Sequence, residues 1–291
     1  MRNLILGTDW GEDCDDCVAV RLLARAHKRG DINLLGIEIN TYVPQSGPSL
    51  YAFLKTEGIM VPIGVDTGFK HKITHVTYQK ILAPMAEGKT NEDFETSVRL
   101  YRRLLAEATE PVEIVEIGFL GAVARALHSM PDDISPKTGM ELFSEKVSRV
   151  WVMGGKWDEQ GGKEYNLSAY EEVATDAYNF VNFCPCPVTY LGWEVGHDLI
   201  TGDNLPKSDI LFDLIKAHSG GPGRESWDPM LVYMTILGDE EKAGYKTIAC
   251  DFSLDKDGRN YFTPNENSQS RFVVKKFDDS YYKEIINNAI I

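Results

Sequence analysis

The sequence has no run of about 18 apolar residues, so no membrane-crossing helix is expected. The first apolar run, Leu4-Ile5-Leu6, stops at Gly7 and is too short for the core of a secretory leader, so the expected location is cytoplasmic. Positive charge is scarce: 30 Lys and Arg stand against 44 Asp and Glu, a formal net charge of -14. That excludes the basic surface that non-specific binding to nucleic acid or an anionic membrane needs. Cysteines are few, and five is an odd number that makes no disulfide framework. Cys14 and Cys17 have C-x-x-C spacing, but Asp13, Asp15 and Asp16 raise a thiol's pKa where a redox cysteine needs it lowered. No second C-x-x-C or His pair completes a zinc site. There is no G-x-S-x-G elbow. The glycine-rich SGGPGRES (Ser219–Ser226) lacks the lysine of a phosphate loop.

What is present is an ordinary globular composition, 43% apolar and 25% charged over 291 residues, enough to bury a sizeable core. Short apolar runs alternate with helical periodicity. The runs NLILGT (Asn3–Thr8), Ile32–Asn40, Pro62–Asp66, Val112–Gly118, Val147–Gly155 and Pro187–Gly192 read as strands. Asp16–His27, Pro48–Gly58, Asn91–Ala108 (capped by Asn91), Gly121–Ser129, Ser168–Val181, Leu211–His218 and Asp228–Leu237 read as helices. Residues 69–90, with His71 and His75, are less regular. TIACDFSLDKDGRNYFT reads as a hairpin turning at Asp257-Gly258. The expectation is one α/β domain over residues 1–291: an open, mostly parallel sheet flanked by helices, Rossmann-like in its core, with a C-terminal hairpin.

In such sheets ligands bind outside the carboxyl ends of the strands. Those ends carry Asp9, Asn40-Thr41, Asp66, Gly118–Gly121, Gly154-Gly155 and Trp193-Glu194. After the first of them come five carboxylates in eight residues: Asp9, Glu12, Asp13, Asp15 and Asp16. A helix N-terminus favours one or two acids in its first turn, not five. A hard cation with oxygen ligands offsets the rest, although the spacing is not that of an EF-hand. Two further stretches offer polar groups. Glu164-Tyr165-Asn166 precedes a helix and suits hydrogen bonding to a polyol. In Ser226-Trp227-Asp228-Pro229 the local reading is a cap at Asp228 with Pro229 first in the helix.

In order along the chain these pieces resemble the nucleoside hydrolases of the inosine-uridine preferring type, calcium-dependent N-ribosyl hydrolases. The family's D-T-D-x-G, D-D-A signature is matched by Gly7-Thr8-Asp9-Trp10-Gly11 and Asp15-Asp16-Cys17. Its strand-end asparagine is matched by Asn40, and its G-x-L-T-N-x-A by Gly118-Phe119-Leu120-Gly121-Ala122-Val123-Ala124. Its M-G-G and E-F-N are matched by Met153-Gly154-Gly155 and Glu164-Tyr165-Asn166, and its late D-P by Asp228-Pro229. The resemblance implies a Ca²⁺ site of Asp9, Asp16, Asp228 and the Gly121 carbonyl. It implies pentose contacts from Asp15, Asn40, Glu164, Asn166 and Asp228. It also implies that Asp9 is the general base for a water held by the metal. The gap after Gly11 is two residues longer than the commonest form, which leaves Asp13 a rival for Asp15. The family's first Asp is Gly7 here, and its T-N pair is Gly121-Ala122. Where some members carry a histidine acid, Trp227 stands. Trp227, with Trp10, suits stacking on a purine. The partner implied is a nucleoside or other ribofuranoside, and the assembly implied is a homo-oligomer, dimer or tetramer. A divergent member acting on another pentofuranoside or sugar conjugate, or a silent sugar or calcium binder, stays open. So does closure of 69–90 and 219–227 over the ligand.

Overall fold

The computed structural model describes residues 1–69 and 74–291. His71 therefore lies outside the described residues. The strands are β1 Arg2–Thr8, β2 Ile32–Ile39, β3 Ile63–Val65, β4 Glu95–Thr96, β5 Val112–Glu116, β6 Val147–Met153, β7 Gly162–Lys163, β8 Val188–Leu191, β9 Ile200–Thr201, β10 Arg224–Glu225, β11 Tyr245–Leu254, β12 Arg259–Pro264 and β13 Ser270–Lys275. The helices are α1 Asp15–Arg29, α2 Ser46–Thr56, α3 Gln79–Leu82, α4 Ser97–Glu107, α5 Gly121–Leu127, α6 Gly139–Lys146, α7 Tyr165–Ser168, α8 Glu171–Phe183, α9 Trp193–Gly196, α10 Ile210–Ser219, α11 Trp227–Leu237 and α12 Asp279–Ile290.

Among the described residues one sheet runs β4-β3-β2-β1-β5-β6-β8-β13-β11-β12-β7. From β4 to β13 its neighbours are parallel, and β11, β12 and β7 extend it antiparallel. The parallel strands are buried on both faces, which is why they read as unbroken apolar runs. One core lies against α1, α2 and α11 and the other against α4, α5 and α8. The strand order reverses between β1 and β5, the first strand and the one that starts the second half. That reversal opens a crevice beyond their carboxyl ends, where Asp9 and Ile117 stand.

Three local expectations are corrected. Asn91–Ala108 is not one helix. Thr90 and Asp93 cap each other over a single 3₁₀ turn, Phe94 is extended, and β4 pairs with β3 before α4 begins at Ser97. Asn91 instead ties loops together, accepting from the Gly47 N–H and donating to the Val43 carbonyl. Ser168 does not open the long helix expected there: its hydroxyl donates to the Glu164 carbonyl, and the long helix α8 begins after Tyr170. Helix α11 starts at Trp227 with Ser226 before it, so the Asp228 carboxylate is free of capping duty. The expected hairpin is β11–β12, but β13 then returns to lie between β8 and β11. No helix of the described residues is long and apolar enough to cross a membrane.

Candidate active site

A cavity of about 300 Å³ opens at this crevice. Its floor is carboxylate. Asp9, Asp15, Glu164 and Asp228 are each no more than 4% exposed, and all line it. Asp9 sits one residue past β1, held close to β5 because residue 118 is glycine. A Cβ there would lie 2.5 Å from the Asp9 nitrogen and 2.8 Å from Asn40 Oδ1. Asp15 and Asp16 open α1, and Asp228 opens α11, which packs along α1. Asp15, Asp16 and Asp228 thereby offer oxygens that all lie within 4.8 Å of one another. The Thr8 hydroxyl donates to Asp16 Oδ1, and the Asp228 N–H donates to Asp15 Oδ2 at 3.2 Å.

Burial dominates the electrostatics. Desolvation, then the neighbouring carboxylates, push Asp9, Asp15 and Asp228 well above the usual range. Burial pushes Asp16 up to about 7 against the Thr8 hydroxyl that favours its ionised form. A cation would remove this penalty. The donor set fits calcium: the grouped ligands are all hard oxygens, and Asp16 Oδ2 is buried with no hydrogen-bond partner.

One wall belongs to α7. Glu164 Oε1 accepts from the Asn166 N–H at 2.9 Å and Oε2 from the Gly155 N–H at 3.3 Å. Burial still lifts Glu164 to about 7. The Asn166 amide turns toward the Met153 carbonyl at 3.3 Å. The mouth is half-exposed and mixed: Glu12, Asp13, Tyr165, Trp193, Arg224 and Trp227. Arg224 holds Asp13 with two hydrogen bonds of 2.9 and 2.7 Å and lies 5.4 Å from the Trp227 ring. The Tyr165 hydroxyl donates to Glu12 Oε1 at 2.7 Å, and His75 Nε2 approaches Glu12 Oε2 at 3.3 Å. Trp227 donates its indole N–H to the Trp193 carbonyl at 2.7 Å.

Of the expected site residues, Asp9, Asp15, Glu164, Asn166, Trp227 and Asp228 line the cavity, with Asp16 directly behind. Asn40 is wholly buried behind the wall. Gly121 opens α5 and does not line the cavity; a side chain there would meet Asp176 and Arg125. Both rivals, Asp13 and Asp15, line the cavity; Asp13 is paired with Arg224, and Asp15 is buried beside Asp228. Trp10 cannot stack on a ligand: it is 0% exposed, bonded to Ser49 and packed on Phe53 and Tyr78. Asp66 pairs with Arg125 rather than facing the cavity. Cys14 and Cys17 are buried, and their thiols are pushed far up. Arg224 and Trp193 went unassigned in the sequence. The one signal for Arg224 is a single cation between a glycine loop and Ser226-Trp227-Asp228.

The inosine-uridine preferring nucleoside hydrolase from Bacillus anthracis superposes with a TM-score of 0.68 at 12% identity, covering 100% of this chain and 99% of its own. The purine-preferring ribonucleoside hydrolase from Gardnerella vaginalis gives 0.71 at 17% identity, covering 99% and 98%. The chain has the nucleoside hydrolase fold. The type III effector protein XopQ, solved with adenosine diphosphate ribose, shares this nucleoside hydrolase fold at a TM-score of 0.65 and 12% identity, covering 100% and 93%. No protein-family model matches the sequence, and no curated protein does.

The raised carboxyls make a prediction for the metal-free protein. Asp16 and Glu164 near 7 and Glu116 near 8 bind protons more tightly folded than unfolded. Their contribution to stability is complete below about pH 4 and is lost as pH rises through 7 to 8. Calorimetry of chelator-treated protein should show Tm falling by about 5 °C or more between about pH 5 and pH 8. Saturating calcium should remove the part due to Asp16 and leave the part due to Glu164 and Glu116. A metal-free Tm that rises over this range would contradict the assignment.

Proposed function

We propose that the protein hydrolyses the N-glycosidic bond of ribonucleosides, with calcium bound at Asp9, Asp15, Asp16 and Asp228. The observation that carries this reading is the grouping of buried carboxylates at the topological switch point of a nucleoside hydrolase fold. Calcium held there would lower the pKa of a water and orient it. Asp9 would accept a proton from the attacking water. The negative floor stabilises the oxocarbenium-like ribose as the bond to nitrogen breaks. Glu164, Asn166 and Asp15 hold the ribose hydroxyls, and their binding energy fixes the reacting geometry. The base stacks in the mouth against Trp227, which donates no proton to it, so purines are favoured over pyrimidines.

A second reading takes a phosphate-bearing ribose conjugate, favoured by Arg224, the one basic residue among the described residues lining the cavity. Its pairing with Asp13 and Glu225 argues against a free anion site. Release of reducing sugar from purine nucleosides, pyrimidine nucleosides and adenosine diphosphate ribose separates the readings. The expected order is purine nucleoside first. Turnover of none of them at high protein concentration would refute the proposal.

A further inference from the structure

The spacing of cysteines along the chain gives no zinc site, but the fold brings a histidine to one of them. Asp13 and Cys14 lie immediately before α1, and His218 is in the last turn of α10. One ligand atom from each, a carboxylate oxygen, the Cys14 sulfur and a ring nitrogen, lie within 4.8 Å of one another. Asp13 also lines the mouth of the cavity. This donor set differs from the all-oxygen floor of Asp15, Asp16 and Asp228. Nitrogen, sulfur and a single oxygen suit zinc rather than calcium.

The hydrogen bonds around His218 fix which of its nitrogens is free to bind. Gln79 Nε2 donates to the Gly11 carbonyl at 2.9 Å, so Gln79 Oε1 is the atom that faces Thr77. That oxygen accepts from the Thr77 N–H at 2.8 Å and from the Thr77 hydroxyl at 3.3 Å. A hydroxyl has one proton to give. Toward His218 Nδ1, 3.3 Å away, Thr77 Oγ1 therefore accepts, and Nδ1 carries the ring proton. Nε2 is then the unprotonated nitrogen of the neutral ring. It stands 3.6 Å from Asp13 Oδ1, beyond a hydrogen bond. An unprotonated nitrogen beside a carboxylate oxygen, with no hydrogen between them, calls for a cation. Metal-bound histidines are held in this way, with the second nitrogen donating to a fixed acceptor. The separation is also that of zinc ligands: atoms at about 2.0–2.3 Å from a tetrahedral ion stand about 3.3–3.6 Å apart.

Two groups oppose a metal here. Arg224 holds both Asp13 oxygens, at 2.9 and 2.7 Å, and would have to yield Oδ1. Cys14 would have to lose its thiol proton, which a coordinated dication brings about. The Asp13 and His218 side chains are 27% and 19% exposed, so both can adjust and an ion can reach them from the mouth.

We propose that Asp13, Cys14 and His218 form a zinc site at the mouth of the cavity, with water as the fourth ligand, separate from the calcium floor. Zinc there would join the end of α10 to the entry of α1. The site stands whether or not the protein hydrolyses nucleosides.

Cobalt(II), which takes zinc's geometry and reports a thiolate ligand by its absorption, tests this in the presence of excess calcium, which keeps the carboxylate floor occupied. Cobalt should give a thiolate-to-metal band and the strong visible bands of a tetrahedral ion, and zinc should displace it and erase both. Cys14→Ser should lose the thiolate band. By calorimetry, His218→Ala should weaken zinc by about 100-fold or more, and Thr77→Val, which removes the acceptor for Nδ1, by about tenfold. Should Cys14→Ser not fold, the His218 and Thr77 variants carry the test, since both side chains are only partly buried. No thiolate band in the wild type overturns the proposal. So does a band that survives Cys14→Ser, or a zinc affinity unchanged in His218→Ala.

Discussion

Asp9→Ala should lower kcat for the best nucleoside by about 10³-fold or more, the upper part of the range for loss of a general base that also touches the metal. The folded chain should survive the change. Asp9 is buried, and its carboxyl is pushed up by burial, then by Asp16 and the other acids of the cluster, so its removal relieves repulsion in the metal-free protein. Loss of activity with an unchanged or raised melting point would place the effect in the chemistry. Activity within about tenfold of wild type would remove Asp9 from the base role.

Asp16→Asn should weaken calcium binding by about 100-fold or more, at or beyond the range seen when even a ligand's supporting partner is lost. The same change should raise the melting point of the metal-free protein at about pH 8, since burial lifts the Asp16 carboxyl to about 7 and an ionised form there is costly. The two effects have opposite signs, and only a buried carboxylate waiting for a cation gives both. Unchanged affinity by calorimetry would refute the ligand assignment. A metal-free variant less stable than wild type at that pH would show that Thr8 satisfies the charge by itself.

The sequence carried the parallel core and the floor of the site because both rest on local signals. Apolar runs ending in Asp9, Asn40 and Gly154 mark strand ends, and strand ends mark where ligands bind. The acidic stretch after Asp9 is dense enough to stand out by charge alone. Pairings made at long range had no such signal. Arg224 meets Asp13 across 211 residues. Gly7, Glu38 and Glu116 come together from three strands, and each looks like an ordinary strand residue in isolation. Trp10 failed as a stacking residue because proximity in sequence to Asp9 says nothing about which face it takes; Ser49, Phe53 and Tyr78 claim it for the core. The helix assigned from Asn91 failed because a capping residue promises a start, not continuation. Pairing of β4 with β3 outweighed it.

Nucleoside turnover followed as calcium is withdrawn and restored tests the central claim most directly. Chelator-treated protein should release no reducing sugar from a purine nucleoside, and stepwise addition of calcium should restore release until the site is saturated. Release that continues unchanged after complete calcium removal, or none at any calcium concentration, would contradict the account.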